Sequence, residues 1–119
     1  MKLFHITTEK NLQNILLNGL IPFRGLGLVR KKHQKYLEKT FGYVIFLTDN
    51  VEAIATEQAG AEWIRKNKAV VIELDVDKKL VKQKTSNHTG KPTLCPNEFL
   101  HTGIISQTCI VSHYFLSHR

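Results

Sequence analysis

Two apolar runs, YVIFLT at 43–48 and AVVIELDV at 69–76, constrain this chain more than any other feature. Both are short and rich in β-branched residues, which marks them as buried strands rather than helices. Between them, residues 51–66 place Val51, Ile54, Ala55, Ala59 and Trp63 on one helical face, behind the capping candidates Asp49 and Asn50. A sheet and an amphipathic helix must cover each other's apolar faces, so the middle of the chain calls for a layered α/β-containing domain. The 119 residues hold one such domain, 1–119, with no repeat and no linker to divide them.

The flanks extend this pattern. Residues 2–6, KLFHI, read as an opening strand. Thr7 or Thr8 then caps a helix carrying Leu12, Ile15 and Leu16, which Gly19 stops and Pro22 keeps from resuming. Residues 28–39 read as a basic helix or an extended basic loop. Residues 77–97 are polar, contain Gly90, Pro92 and Pro96, and read as one long loop of the functional or mobile kind. EFLH (98–101) and TCIVSHYFL (108–116) close the chain as strands joined by a turn at Gly103. The order β-α-basic segment-β-α-β-loop-β-β is α+β, with two main helices.

The charge is uneven. The chain carries 17 Lys and Arg against 10 Asp and Glu, a formal +7. Residues 24–39 hold Arg24, Arg30, Lys31, Lys32, Lys35 and Lys39 against Glu38, and 78–91 hold five lysines and no acid. Two basic segments on a mildly acidic body fit a polyanionic partner, nucleic acid first, and equally fit solubilising loops. No apolar run nears the roughly 18 residues of a membrane span, and MKLFHITTEK lacks the features of a signal peptide. Cys95 and Cys109 form no Cys-x-x-Cys pair. The expectation is a soluble, reduced, cytoplasmic domain without a membrane partner. The sequence leaves its oligomeric state unknown.

Three places carry chemistry. His5-Ile6-Thr7 sets an imidazole and a hydroxyl at a strand end just before a helix N-terminus, suited to a ribose or a pyrophosphate. The plain alternative is a half-exposed histidine beside a routine cap. Tyr43 and Phe46 lie on opposite faces of their strand, and either ring can stack on a flat ligand or fill a core. Glu98 opens an apolar strand after Cys95-Pro96-Asn97, as a catalytic acceptor or an exposed strand-end carboxylate. His33, His88, His101, His113 and His118 show no metal-ligand spacing, although His101 and His113 are placed to meet on adjacent strands. No metal site is expected. Cys95 reads as a spectator, since nothing beside it lowers its pKa.

Taken in order, these segments resemble the ADP-ribosyltransferase superfamily of the His-Tyr-Glu type. LFHITTEKNLQNILLNGLIP is similar to its strand-His-x-Thr-helix opening, and GYVIFLTDNVEAIATEQA to its aromatic strand and following helix. AVVIELDV and NEFLHTGIISQTCI resemble the later strands, the second carrying the family's glutamate. The likeness is greatest to DarT-type DNA ADP-ribosyltransferase toxins and to tRNA 2′-phosphotransferases, and spans most of the chain except 77–97. It implies a small split β-sheet fold with NAD⁺ as co-substrate. His5 and Thr7 would bond the NAD⁺ riboses, the Ile6 backbone would clamp the nicotinamide amide, and Phe46 would stack on the nicotinamide ring. Glu98 would stabilise the charge that develops as nicotinamide leaves, an effect commonly worth ~100- to 1000-fold in rate.

In the DarT-type relatives an arginine ahead of the aromatic strand acts on DNA. Arg30 falls in a comparable stretch, with Arg24 as runner-up, and Tyr36 there is placed to stack on an unpaired base. The chain departs from the pattern at Ile6, where many relatives have Gly, at Phe46, where they have Tyr, and at Pro96, where arginine-modifying relatives have Glu or Gln. Nucleic acid is therefore the expected acceptor. A protein side chain is the second acceptor, and a non-catalytic nucleotide- or nucleic-acid-binding module is the reading from a different class.

Overall fold

The computed structural model describes residues 1–22, 39, 42–56, 58–86, 91 and 93–116. Six strands build one sheet: β1 (Lys2–Thr8), β2 (Val44–Thr48), β3 (Ala69–Asp75), β4 (Val81–Ser86), β5 (Thr93–Thr102) and β6 (Ile110–Phe115). Their spatial order is β4-β5-β2-β1-β3-β6, and every neighbouring pair is antiparallel. The architecture is α+β. The continuous apolar run of β3 has its cause here, since Ala69, Val70, Val71, Ile72 and Leu74 are all buried, on both faces of an interior strand.

One face of the sheet carries the main core. Leu3 on β1, Ile45 and Leu47 on β2, and Val70, Ile72 and Leu74 on β3 cluster with Ile15, Leu20, Val76 and Ile105. Ile15 comes from helix α1 (Glu9–Asn18), whose Leu12 packs against the same cluster. Burying each such side chain contributes about 1.5–3 kcal/mol. Leu16, expected on the same helical face, lies at its margin and is exposed.

Helix α1 ends as its sequence dictates. Gly19 has φ +78°, and its N–H donates to the Ile15 carbonyl. A Cβ at Gly19 would also collide with the Ile105 carbonyl oxygen, so glycine is required twice over. That close approach lets Leu20 and Ile105 exchange backbone hydrogen bonds of 2.8 and 2.9 Å, which tie the end of α1 to the chain leading into β6. Thr8 occupies the N-cap position without a side-chain cap bond.

Several expectations are corrected. The helix expected over 51–66 is two helices, α2 (Val51–Thr56) and α3 (Gln58–Lys66), so three helices are described, not two. Gly60 of α3 sits against the Ile54 carbonyl, where a side chain has no room. Asn50 provides the cap, its Oδ1 accepting from the Ala53 N–H at 3.1 Å. Residues 77–97 are not one loop. They contain a 3-10 turn at Lys78–Leu80, all of β4 and the start of β5. Nor do the last two strands form a hairpin: β5 and β6 are separated by β2, β1 and β3. His101 and His113 therefore do not meet. Most of the basic stretch 24–39, Arg24, Arg30 and Tyr36 included, lies outside the described residues.

Candidate active site at the β1–β2 junction

Strand β1 treats its two neighbours differently. It pairs with β3 at seven positions, Lys2↔Asp75 through Thr8↔Ala69, but with β2 at one, Phe4↔Thr48. At the ends of the β1–β3 ladder, Glu9 N–H donates to Lys68 O and Val76 N–H donates to Met1 O. Both bonds involve odd-numbered residues of the first chain segment. In an antiparallel ladder alternate residues bond to opposite sides, so Leu3, His5 and Thr7 bond to β3 while Phe4, Ile6 and Thr8 aim their N–H and C=O groups at β2. The ladder stops before Ile6 would pair with Phe46. Ile6 and Phe46, the next two residues in register, are therefore not paired.

The His5 ring takes the place of that pairing. Its Nδ1 lies 2.8 Å from the Phe46 carbonyl oxygen, the group that Ile6 N–H would meet in a continued ladder. A carbonyl only accepts, so Nδ1 carries the proton and Nε2 is the acceptor nitrogen. Desolvation pushes the His5 pKa below the ordinary 6.5, more than the Phe46 bond raises it, so the ring is neutral at pH 7.

The next strand brings the carboxylate. Thr48, opposite Phe4 on β1, is also opposite Glu98 on β5, so Phe4, Thr48 and Glu98 form one row across three strands. Neighbouring strands lie about 4.8 Å apart, which sets the Glu98 backbone about 10 Å from β1. Phe46, Thr48, Glu98 and Leu100 share a face by strand alternation. Phe46 is half-buried, while every other residue of β2 is buried. Its ring is the least covered group in that strand.

A bulge shapes the approach to Glu98. The β4–β5 register runs Gln83↔Phe99 and then Thr85↔Leu94, so the single residue Lys84 faces four, Cys95 to Glu98. Pro96 is tolerated there because a bulge releases it from the ladder. Asn97 adopts φ +65°, the left-handed region that asparagine enters more readily than most residues. Two bonds pin the bulge: Thr48 Oγ1 donates to Asn97 O at 2.6 Å, and Gln83 Nε2 donates to Cys95 O at 2.9 Å.

Lys84 fills the hollow that the bulge makes. Its Nζ is 3.0 Å from Glu98 Oε1 and 5.7 Å from the centroid of the Phe46 ring. Its side chain is only 10% exposed, against 27% for Glu98. The sequence counts Lys84 in the basic segment 78–91, as a polyanion contact or a solubilising residue, and neither use buries it. The signal that exposes the error is the Pro96-Asn97 pair just before Glu98, which marks a bulge needing an unusual cross-strand partner.

Of the residues singled out in the sequence, the structure brings Phe46 and Glu98 together, joins the His5 ring to the Phe46 backbone, and leaves Ile6 unpaired with Phe46. Thr7 is not part of this group. It is buried, on the side of β1 that Leu3 and the His5 ring share by strand alternation, and its hydroxyl accepts a 3.3 Å hydrogen bond from Asn11 Nδ2. The N-terminus of α1 is likewise partly spent, its Glu9 N–H on Lys68 O. Arg30 lies outside the described residues. Among those described, no group of three or more His, Cys, Asp and Glu side chains is arranged to hold a metal ion, and no helix is long and apolar enough to cross a membrane. Comparison of the chain with known protein families, with curated proteins and with solved structures finds no match.

Proposed function

We propose that this chain is an NAD⁺-dependent ADP-ribosyltransferase of the split-sheet type, and that its acceptor is a nucleic acid. The observation that carries the reading is that the β1–β2 ladder stops at Phe4↔Thr48, beside a sheet face on which Phe46 and Glu98 stand together. A carboxamide needs one donor and one acceptor side by side, which the backbone of Ile6 offers. A flat ring needs an apolar face, which Phe46 offers. When the glycosidic bond breaks, its electron pair goes to the nicotinamide nitrogen and positive charge develops on the ribose. On this reading Glu98 stabilises that charge and accepts from a ribose hydroxyl. His5, neutral, holds the Phe46 carbonyl through Nδ1 and so fixes the strand that carries the ring. An acceptor nucleophile then attacks the anomeric carbon.

Nucleic acid is favoured by the edge of the sheet next to Glu98. Lys82 on β4 is exposed, and Lys78, Lys79 and Lys91 flank that strand, also exposed. Such a row attracts a phosphate backbone and makes binding fall steeply with salt. The test is incubation with NAD⁺ and single-stranded DNA, reading nicotinamide release and label on the DNA. The expected result is release by the wild type and a loss of ~100- to 1000-fold in Glu98→Gln. Label on protein but not on DNA would move the acceptor to a protein. Salt-sensitive DNA binding without nicotinamide release would make the chain a binding module.

A further inference from the structure

Resting on that reading, we propose that Lys84 is a positioning residue that selects which oxygen of Glu98 meets the substrate. The ammonium takes Oε1 at 3.0 Å, and this leaves Oε2 as the oxygen presented to a ribose hydroxyl. Three features make this arrangement specific. Lys84 is the single residue facing the four-residue bulge, so its Cα is fixed relative to Glu98 by backbone pairing on both sides. Its side chain is almost wholly buried, which holds the ammonium in one place rather than letting it sample solvent. Its charge also lies over the Phe46 ring, so the same group that orients the carboxylate sets the orientation of the stacking face.

A lysine suits this role for a geometric reason. Its ammonium is a compact point donor that engages one carboxylate oxygen. An arginine at the same place offers a planar fork that takes both. The free oxygen exists because position 84 is lysine.

The test measures nicotinamide release from NAD⁺ by wild type, Lys84→Met, Lys84→Arg, Glu98→Gln and the Lys84→Met/Glu98→Gln double variant, with a thermal melt of each. Lys84→Met is expected to lose about tenfold or more in kcat with KM for NAD⁺ within about twofold, since the carboxylate is no longer held. Lys84→Arg is expected to melt like the wild type and still lose kcat, because its fork occupies Oε2. In the Glu98→Gln background Lys84→Met is expected to add nothing, the non-additivity of residues that act through one another. Wild-type kcat in Lys84→Met overturns the positioning role. Wild-type kcat in Lys84→Arg, the variant that keeps the ion pair and hence the fold, overturns the one-oxygen assignment. Full additivity in the double variant makes Lys84 merely structural. A wild type that releases no nicotinamide overturns the transferase reading beneath the proposal, an outcome distinct from all three.

Discussion

Strand β1 has two edges with opposite characters. Toward β3 it is zipped at seven consecutive positions, between residues of which Leu3, Val70, Val71, Ile72 and Leu74 are fully buried. Toward β2 it pairs once, and a histidine ring stands in for the next backbone donor. The first edge is where the fold gains its stability. The second forgoes ladder hydrogen bonds worth about 1 kcal/mol each.

The contrast is sharpest for variants that separate activity from stability. Glu98→Gln is expected to lower nicotinamide release by ~100- to 1000-fold, about 2.7–4 kcal/mol in barrier, while the sheet stays folded. Breaking a fully buried ion pair costs about 3–5 kcal/mol of stability. Glu98→Gln leaves the Lys84 ammonium, 10% exposed, with a neutral amide oxygen in place of its carboxylate oxygen, so the expected loss is smaller and a urea titration will find a cooperative transition. An unfolded Glu98→Gln would mean that the pair with Lys84 is a structural strut.

On the zipped side the expectation is reversed. Ile72→Ala removes a side chain with no solvent exposure and is expected to cost about 2–5 kcal/mol. Phe46→Ala, at the half-buried position, is expected to cost distinctly less stability and to weaken NAD⁺ binding instead. Equal losses of stability at the two positions, read by denaturant midpoints, would erase the distinction between the edges.

Gly19→Ala tests the tie between α1 and the chain entering β6. The positive φ and the nearby Ile105 carbonyl together set an expected loss of about 1–3 kcal/mol, visible as a lower melting temperature. The smallest effect belongs to His5. Its folded pKa lies below 6.5, so the unfolded chain takes up the proton first. Stability is therefore complete above about pH 6.5 and falls as pH drops from there toward the depressed folded value, by at most ~1.4 kcal/mol per pH unit for one proton. Between pH 7 and pH 5, His5→Gln is expected to show a flatter stability profile than the wild type. Parallel profiles would remove His5 from its neutral, Phe46-bonded state.

How much of this was legible in the sequence follows from what each segment buries. The strands β2 and β3 announced themselves because their residues are buried nearly throughout, and Gly19 marked the end of α1 because only glycine fits there. Strand β4, VKQKTS, did not, since an edge strand needs no apolar alternation and its one buried residue is Lys84, a residue type that reads as solvent-exposed. Pro96 read as a strand breaker, whereas the bulge absorbs it. The break in 51–66 had its cue in Gly60, which the helical spacing overrode. The expected meeting of His101 and His113 failed because chain order is not sheet order. For the site, Phe46 and Glu98 were chosen separately and stand on paired strands. Strand alternation sends Thr7, and with it the His5 ring, to the side of β1 that Leu3 faces.

The central claim is that the gap beside β1 is where NAD⁺ binds. Titrating the ¹⁵N-labelled protein with an unreactive NAD⁺ analogue and mapping the amide shifts tests it directly. The account predicts the largest shifts at Phe4 to Ile6, Phe46 to Thr48 and Glu98, with the β3–β6 half of the sheet quiet. Shifts confined to that quiet half, or no shifts at saturating analogue, would contradict it.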